Sequence, residues 1–392
     1  MILTQYPALL FLLLLGIVAG ILYLEKVPAF GKIFHFLPSA FWCYFLPMLL
    51  STFGLLPEQS GVYDFLTTYV LSSCLVLLLL DINLPSILKL GPTALTAMTV
   101  GALGIAFGAV GAYAIFARWL PPETWKGVGA LSASWIGGSA NMLAVKEGLH
   151  APDAVFAPMV IVDTVITYSW MGLLVALSSR QEVWDQWVKA DRSTLDDVVH
   201  RLEGMGRLGK TKSTASPLHA LWLIGSGMVI GWLCLKLGAR LPQTASLSTS
   251  GWAFLLITLV GILLSLTPAA KLEVYGASRW GYLCLYLLLA AMGSKARLQY
   301  IFQAPLLIVM AYVWVSIHAI MLAVYGYVCR VPMFFLVTSS QANIGGTAST
   351  PIVAGVYQPH LASLGLLLAI AGNVVGTYAG ILIGEACHWV HP

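Results

Sequence analysis

Charge is the scarcest property of this sequence. Its 20 Lys or Arg and 16 Asp or Glu make up 9% of 392 residues, whereas an ordinary globular domain carries about 25%. A soluble domain needs a charged, solvated surface, so this shortage excludes one. Paired cysteines are lacking too: Cys43, Cys74, Cys234, Cys284, Cys329 and Cys387 stand singly in apolar stretches without metal-ligand spacing, and they read as small buried hydrophobes. No basic cluster serves nucleic acid, and no HExxH motif serves a zinc hydrolase.

What is abundant is apolar sequence. Hydrophobic residues make up 59% of the chain, with a mean hydropathy of +0.87. A spanning helix takes roughly 20 apolar residues, and the pattern predicts an all-α polytopic membrane protein of 11–13 spans. The spans fall at about 8–24, 36–55, 63–80, 91–117, 127–148, 153–177, 217–237, 251–267, 279–293, 301–328, 332–357 and 360–387. Met1–Leu24 has no basic residue ahead of its apolar run and no small-residue cleavage site after it, so it is expected to be a retained span. No lipid-anchor signal is expected at the C-terminus. The segment 178–216 carries thirteen charged residues, seven of them Arg180, Lys189, Arg192, Arg201, Arg207, Lys210 and Lys212. By the positive-inside rule it is a cytoplasmic linker between 1–177 and 217–392. Val183, Trp184, Trp187 and Val188, then Leu195, Val198, Val199 and Leu202, are spaced for short amphipathic helices or for a solvated linker.

The two flanking halves match each other. Ser132-Ala-Ser-Trp-Ile-Gly-Gly-Ser-Ala140 aligns with Ser340-Gln-Ala-Asn-Ile-Gly-Gly-Thr-Ala348, and Asp163-Thr-Val-Ile-Thr-Tyr168 with Asn373-Val-Val-Gly-Thr-Tyr378. The links from Asp81 to Pro92 and from Ser294 to Pro305 correspond as well. Such internal duplication is a signature of secondary transporters.

Both matched segments are polar where a lipid-facing helix would be apolar. The first places Ser132, Ser134, Gly137, Gly138, Ser139 and Asn141 at mid-span. The second places Ser339, Ser340, Gln341, Asn343, Gly345, Gly346, Thr347, Ser349, Thr350 and Pro351 there. Paired glycines lack the Cβ that penalises non-helical backbone, and proline removes a donor. Unwinding is therefore expected near Trp135–Asn141 and Asn343–Pro351, with the two breaks facing each other. Half-helix ends and freed carbonyls there bind anions and Na⁺. Small residues alone would also suit close helix packing, but that does not explain Asn141, Gln341 and Asn343.

Asp163 lies at mid-span after the first polar segment, where a carboxylate is costly unless it is paired or functional. It is the leading candidate for a cation or proton site, with Thr167 beside it and Asn373 and Thr377 as counterparts in the second half. A metal, if any, is Na⁺ near Asn141, Asp163, Gln341 and Asn343. His318 could relay protons, but a lone buried histidine more often serves packing. Asp81, Lys89, Lys146, Glu147, Lys295 and Arg297 are placed to snorkel at span ends.

These features favour a secondary transporter with no cofactor beyond Na⁺ or H⁺ as coupling ion, no nucleic-acid partner, and a small organic solute as cargo. A cation/proton antiporter is the competing transport function. An intramembrane enzyme or channel ranks lower, since no second central acid pairs with Asp163 and no histidine lies near Ser139 in sequence. A homodimer is compatible with this reading.

The segments Ile136 to Asn141 and Gln341 to Ser349 resemble a bacterial membrane family known as domain of unknown function eight-one-nine. Over most of the chain the sequence is also similar to the cation/proton antiporter and anion transporter superfamily. That resemblance implies inverted repeats, two discontinuous helices crossing near the bilayer centre, a panel and a moving core (an elevator), and residence in the bacterial cytoplasmic membrane. In the antiporter branch a carboxylate occupies the position of Asp163, although the adjacent second acid is absent, since Val162 and Thr164 flank it. Twelve spans in two sets of six would make the repeats parallel, whereas inversion needs an odd number, so one segment between 217 and 300 is expected to be miscounted. Lys295 and Arg297 weakly favour a cytoplasmic second link.

Overall fold

The computed structural model describes residues 6–80, 87–191, 195, 216–243, 249–358 and 361–391. Asp81 and most of the linker, 192–194 and 196–215, lie outside the described residues. Among the described residues there are only helices, turns and loops. In chain order the main helices are α1 (Pro7–Leu24), α2 (Ser39–Thr52), α3 (Gly61–Leu80), α4 (Gly91–Phe116), α5 (Thr124–Gly137), α6 (Ser139–Gly148) and α7 (Asp153–Ala176). They continue with α8 (Gln181–Trp187), α9 (Pro217–Gly238), α10 (Thr249–Ser265), α11 (Ala277–Lys295), α12 (Ala304–Val328), α13 (Met333–Tyr357), α14 (Ala362–Gly372) and α15 (Gly376–Val390).

Six helical stretches are individually long and apolar enough to cross a membrane, or eight if two bent pairs each count as one span. The protein is therefore an integral membrane protein. The remaining expected spans are helical but fall short of that standard for physical reasons. Ser39–Thr52 is short, α11 carries Arg279 and Lys295, and the two polar segments are broken by glycine.

Both breaks are narrower than expected. Only Gly138 (φ 88°, ψ 174°) and Gly346 (φ 62°, ψ −158°) leave helical geometry. Each is the second glycine of its Gly-Gly pair, in a backbone region that only glycine enters without strain. Pro351, expected to unwind the chain, sits inside the helical segment after Gly346.

Neither break is a simple interruption of a crossing helix. A Cβ placed on Gly129 would lie 3.1 Å from Leu149, and one on Gly380 would meet both Ala133 and Val145. In a straight helix, residues 129 and 149 would be about 30 Å apart, so α6 must fold back along α5. In α13, Met333 N–H donates to Asp185 Oδ1 (2.9 Å), Thr167 donates to the Ile344 carbonyl (2.9 Å), and the Tyr357 hydroxyl donates to the Leu174 carbonyl (2.6 Å). Past Ile344 a straight helix would run toward the start of α7, yet Tyr357 reaches its end. Thus α13 also reverses, at Gly346. The expected crossing of two discontinuous helices is replaced by two helical hairpins. The α5–α6 hairpin has its base where α7 begins, and the α13 hairpin has its base where α7 ends, beside α8.

The expected span 360–387 is bent: two helices, α14 and α15, meet at 53° around Asn373.

The helices form two groups. In one, α1, α2, α3, α9, α10 and α11 pack together; in the other, α4–α7 pack with α12–α15. Glycine allows the tightest approaches in the second group. Gly129, Ala133 and Gly137 of α5 face Gly376, Gly380 and Gly384 of α15, both at i, i+4, i+8 spacing, and a Cβ on Gly372 would overlap the Ile136 carbonyl. Gly101, Gly104 and Gly108 of α4 receive His318 and Trp314 of α12 in the same manner. Where lipid removes the usual hydrophobic drive, such backbone proximity is what holds helices together.

Candidate functional site: a cavity at two hairpin tips

Between the two helix groups lies a cavity of about 560 Å³. Gly137, Gly138 and Ser139 from the first hairpin tip line it, as do Gly345, Gly346 and Thr347 from the second. Asp163 and Thr167 of α7, Ser134 of α5, Asn141 of α6 and Asn373 at the α14–α15 bend complete the lining from this group. Eleven of the anticipated residues are therefore brought to one space.

The carboxylate of Asp163 is half-buried at this wall. Ser134 Oγ donates to one oxygen (3.1 Å) and Trp135 Nε1 to the other (2.9 Å). Both donors are neutral, so they orient the group without cancelling its charge. Trp135 is itself fixed by full burial against Trp314, with ring centroids 4.5 Å apart, and Trp314 donates to the Ile105 carbonyl.

Each tip frees carbonyls that must find a partner in the absence of water. At the first, Asn141 Nδ2 donates to the Gly137 carbonyl (2.6 Å) while its Oδ1 accepts from Thr377 Oγ1 (2.5 Å). Thr258 of α10 lies 3.5 Å from the Thr377 hydroxyl, linking this chain to the other helix group. At the second, Thr167 serves Ile344 and Ser349 Oγ donates to the Gly345 carbonyl (2.8 Å), while Thr350 Oγ1 donates back to the carbonyl of Gly346, which opens the outgoing half-helix (2.5 Å). Thr347 lies 3.3 Å from the Tyr282 hydroxyl across the cavity.

Several anticipated residues stand behind the lining. Ser132 is turned away and donates to the Val128 carbonyl. Ser349, Thr350 and Thr377 support the tips as just described. Gln341 donates to Ser349 (2.7 Å) and Asn343 to the Met98 carbonyl (3.3 Å), yet Gln341 Oε1 and Asn343 Oδ1 are buried without a hydrogen-bond partner among the described residues. The Thr338 and Ser339 hydroxyls, about one turn nearer the hairpin base, share that state. Four orphaned oxygens within six residues are unusual where nearly every buried polar atom is paired.

His318 is fully buried away from the cavity. Its Nδ1 lies 2.8 Å from the Gly101 carbonyl, so Nδ1 carries the proton, and Nε2 accepts from Ser340 Oγ, which accepts in turn from Trp170 Nε1. Every member is satisfied, which makes it a packing residue. Lys146 does not snorkel: it is buried at the first hairpin's base, with Glu147 at 2.9 Å and Asp153 at 3.1 Å.

The sequence reading missed Tyr168 of α7, near Asp163, and the opposite wall, formed by Glu25, Ser278, Tyr282, Tyr286 and the leucines of α3 and α11. Apart from Tyr168, which sits in the aligned segment, these residues carry no local signal, because only packing of the two groups brings them to the tips.

Comparison with known proteins agrees with the membrane character. The family described as "Protein of unknown function (DUF819)" matches residues 12–389. The chain is 24% identical over 353 residues to the "Uncharacterized membrane protein YjcL" of Bacillus subtilis (strain 168), covering 86% of this chain and 87% of that protein.

Proposed function

The chain belongs to the DUF819 family of membrane proteins, and on that premise we propose that it is a secondary transporter working by alternating access. The carrying observation is that two glycine-tipped hairpins and Asp163 line one cavity between two helix groups.

The topology supports inverted repeats, because a hairpin that returns to its own side does not count as a crossing. Each half then holds five crossings and one hairpin. Five is odd, so 217–392 repeats 1–177 upside down, and the parity conflict disappears without a miscounted segment between 217 and 300. The α1–α3 and α9–α11 group is the panel in this reading, and the hairpin group is the core that moves. Placing the linker in the cytoplasm opens the cavity inward, past Glu25 and Ser278. Lys295 and Arg297 then fall outside, where Arg297 pairs with Glu58; the seven linker cations outweigh that pair.

The cargo is a small organic solute, and H⁺ or Na⁺ is the coupling ion, in the bacterial cytoplasmic membrane. The orphaned oxygens of Gln341 and Asn343 are hard ligands suited to Na⁺, and Asp163 is suited to either ion. Antiport of cation and proton remains the second reading, favoured by the neutral surroundings of Asp163. Purified protein in liposomes should take up solute only under a Na⁺ or H⁺ gradient, and Asp163→Asn should fold yet lose gradient dependence. Uptake in the variant with unchanged rate and ion dependence would remove Asp163 from coupling.

A further inference from the structure

The cavity's charge is one-sided. Asp163 lies at its floor and Glu25 at its mouth, and among the described residues no Lys, Arg or His lines it. Neither carboxylate is ion-paired among the described residues, and Asp163 is held by a hydroxyl and an indole N–H alone. Tyrosines bridge the interval. Tyr168 of α7 and Tyr282 and Tyr286 of α11 share the cavity lining with both acids. Tyr282 and Tyr286 stand side by side on α11, ring centroids 6.5 Å apart. The apolar part of the lining includes Leu75, Leu78, Leu285 and Leu289.

From this arrangement we infer that the transported solute carries a protonated amine on a small apolar body. The ammonium is drawn in by Glu25, passes the tyrosine ring faces, and is held by the Asp163 carboxylate, while its hydrocarbon part lies on the leucines. Each wall has the matching chemistry. An ammonium gains from aromatic faces as well as from carboxylates, and a hydrogen bond between charged partners is about twice as strong as a neutral one. A carboxylate solute would meet two acids and no basic side chain, and like-charge juxtaposition is costly. The volume of about 560 Å³ lies within the usual range for small-ligand pockets, about 300–1,000 Å³.

This inference rests on the cavity being a solute site, and its test separates the two. The full-length purified protein is melted with n-hexylammonium, hexanoate or hexanamide at equal concentration; these share a carbon skeleton and differ in charge. Hexylammonium alone should raise the melting temperature, and Asp163→Asn should weaken its apparent affinity by about tenfold. Glu25→Gln, at an exposed helix end, should weaken it less and keeps the test valid if the first variant folds poorly. Protection by hexanoate equal to that by hexylammonium, or protection by none of the three, overturns the amine assignment. Gradient-driven uptake of an anionic or neutral solute would do the same while leaving the transporter itself in place.

Discussion

At the scale of single residues, the site is an exercise in satisfying backbone that the hairpin tips expose. Asn141 and Thr167 each cover one freed carbonyl, on Gly137 and Ile344. Removing either side chain leaves a buried acceptor unpaired, which costs about 1–3 kcal/mol. Asn141→Ala and Thr167→Val should therefore both lower the melting temperature of the purified protein, with Asn141→Ala the more damaging because it also strands Thr377. Melting curves identical to the parent would mean that these carbonyls find other partners. Most of these residues were legible in sequence, since Asn, Gln, Ser, Thr and Asp at mid-span have few bland explanations. Their division of labour was not. Ser132 turns away and Gln341 stands behind the tip because helical phase relative to neighbouring helices, not residue type, decides what faces the cavity.

At the scale of elements, the Gly-Gly pairs told where the chain breaks but not which way it then goes. A helix that continues across the bilayer and one that turns back share the same local sequence. The choice is recorded only in long-range contacts such as Gly129 with Leu149. The sequence-based count therefore takes each hairpin as a span. The bend at Asn373 was missed for a related reason: Gly372 and Gly376 flank it, but their neighbours are apolar enough to read as one helix. Two measurements address the hairpins. Ala133→Cys with Val145→Cys, both beside Gly380, should form a disulfide under mild oxidation; failure to cross-link in a folded protein would restore the through-running helix. Gly138→Ala and Gly346→Ala should each cost about 1–3 kcal/mol through backbone strain. Nothing lies within 4 Å of a Cβ on Gly346, and only Asn373 at 3.5 Å on Gly138, so conformation alone sets that cost. A melting temperature unchanged in both variants would contradict the left-handed tips.

At the scale of the whole molecule, the tips of two opposed hairpins lie in the space between two helix groups. On the proposed alternating-access reading one group is fixed and the other moves, so that solute and coupling ion would meet both tips first from one side of the membrane and then from the other. The most direct measurement uses a background in which all six cysteines are replaced, carrying Ser139→Cys at one tip or Thr347→Cys at the other. Each variant is treated with a membrane-impermeant thiol reagent in right-side-out and in inside-out vesicles, while the Na⁺ or H⁺ gradient is reversed. The account predicts that both positions react from both faces and that reversing the gradient shifts the balance between them. Reaction of both tips from one face only, whatever the gradient, would contradict it.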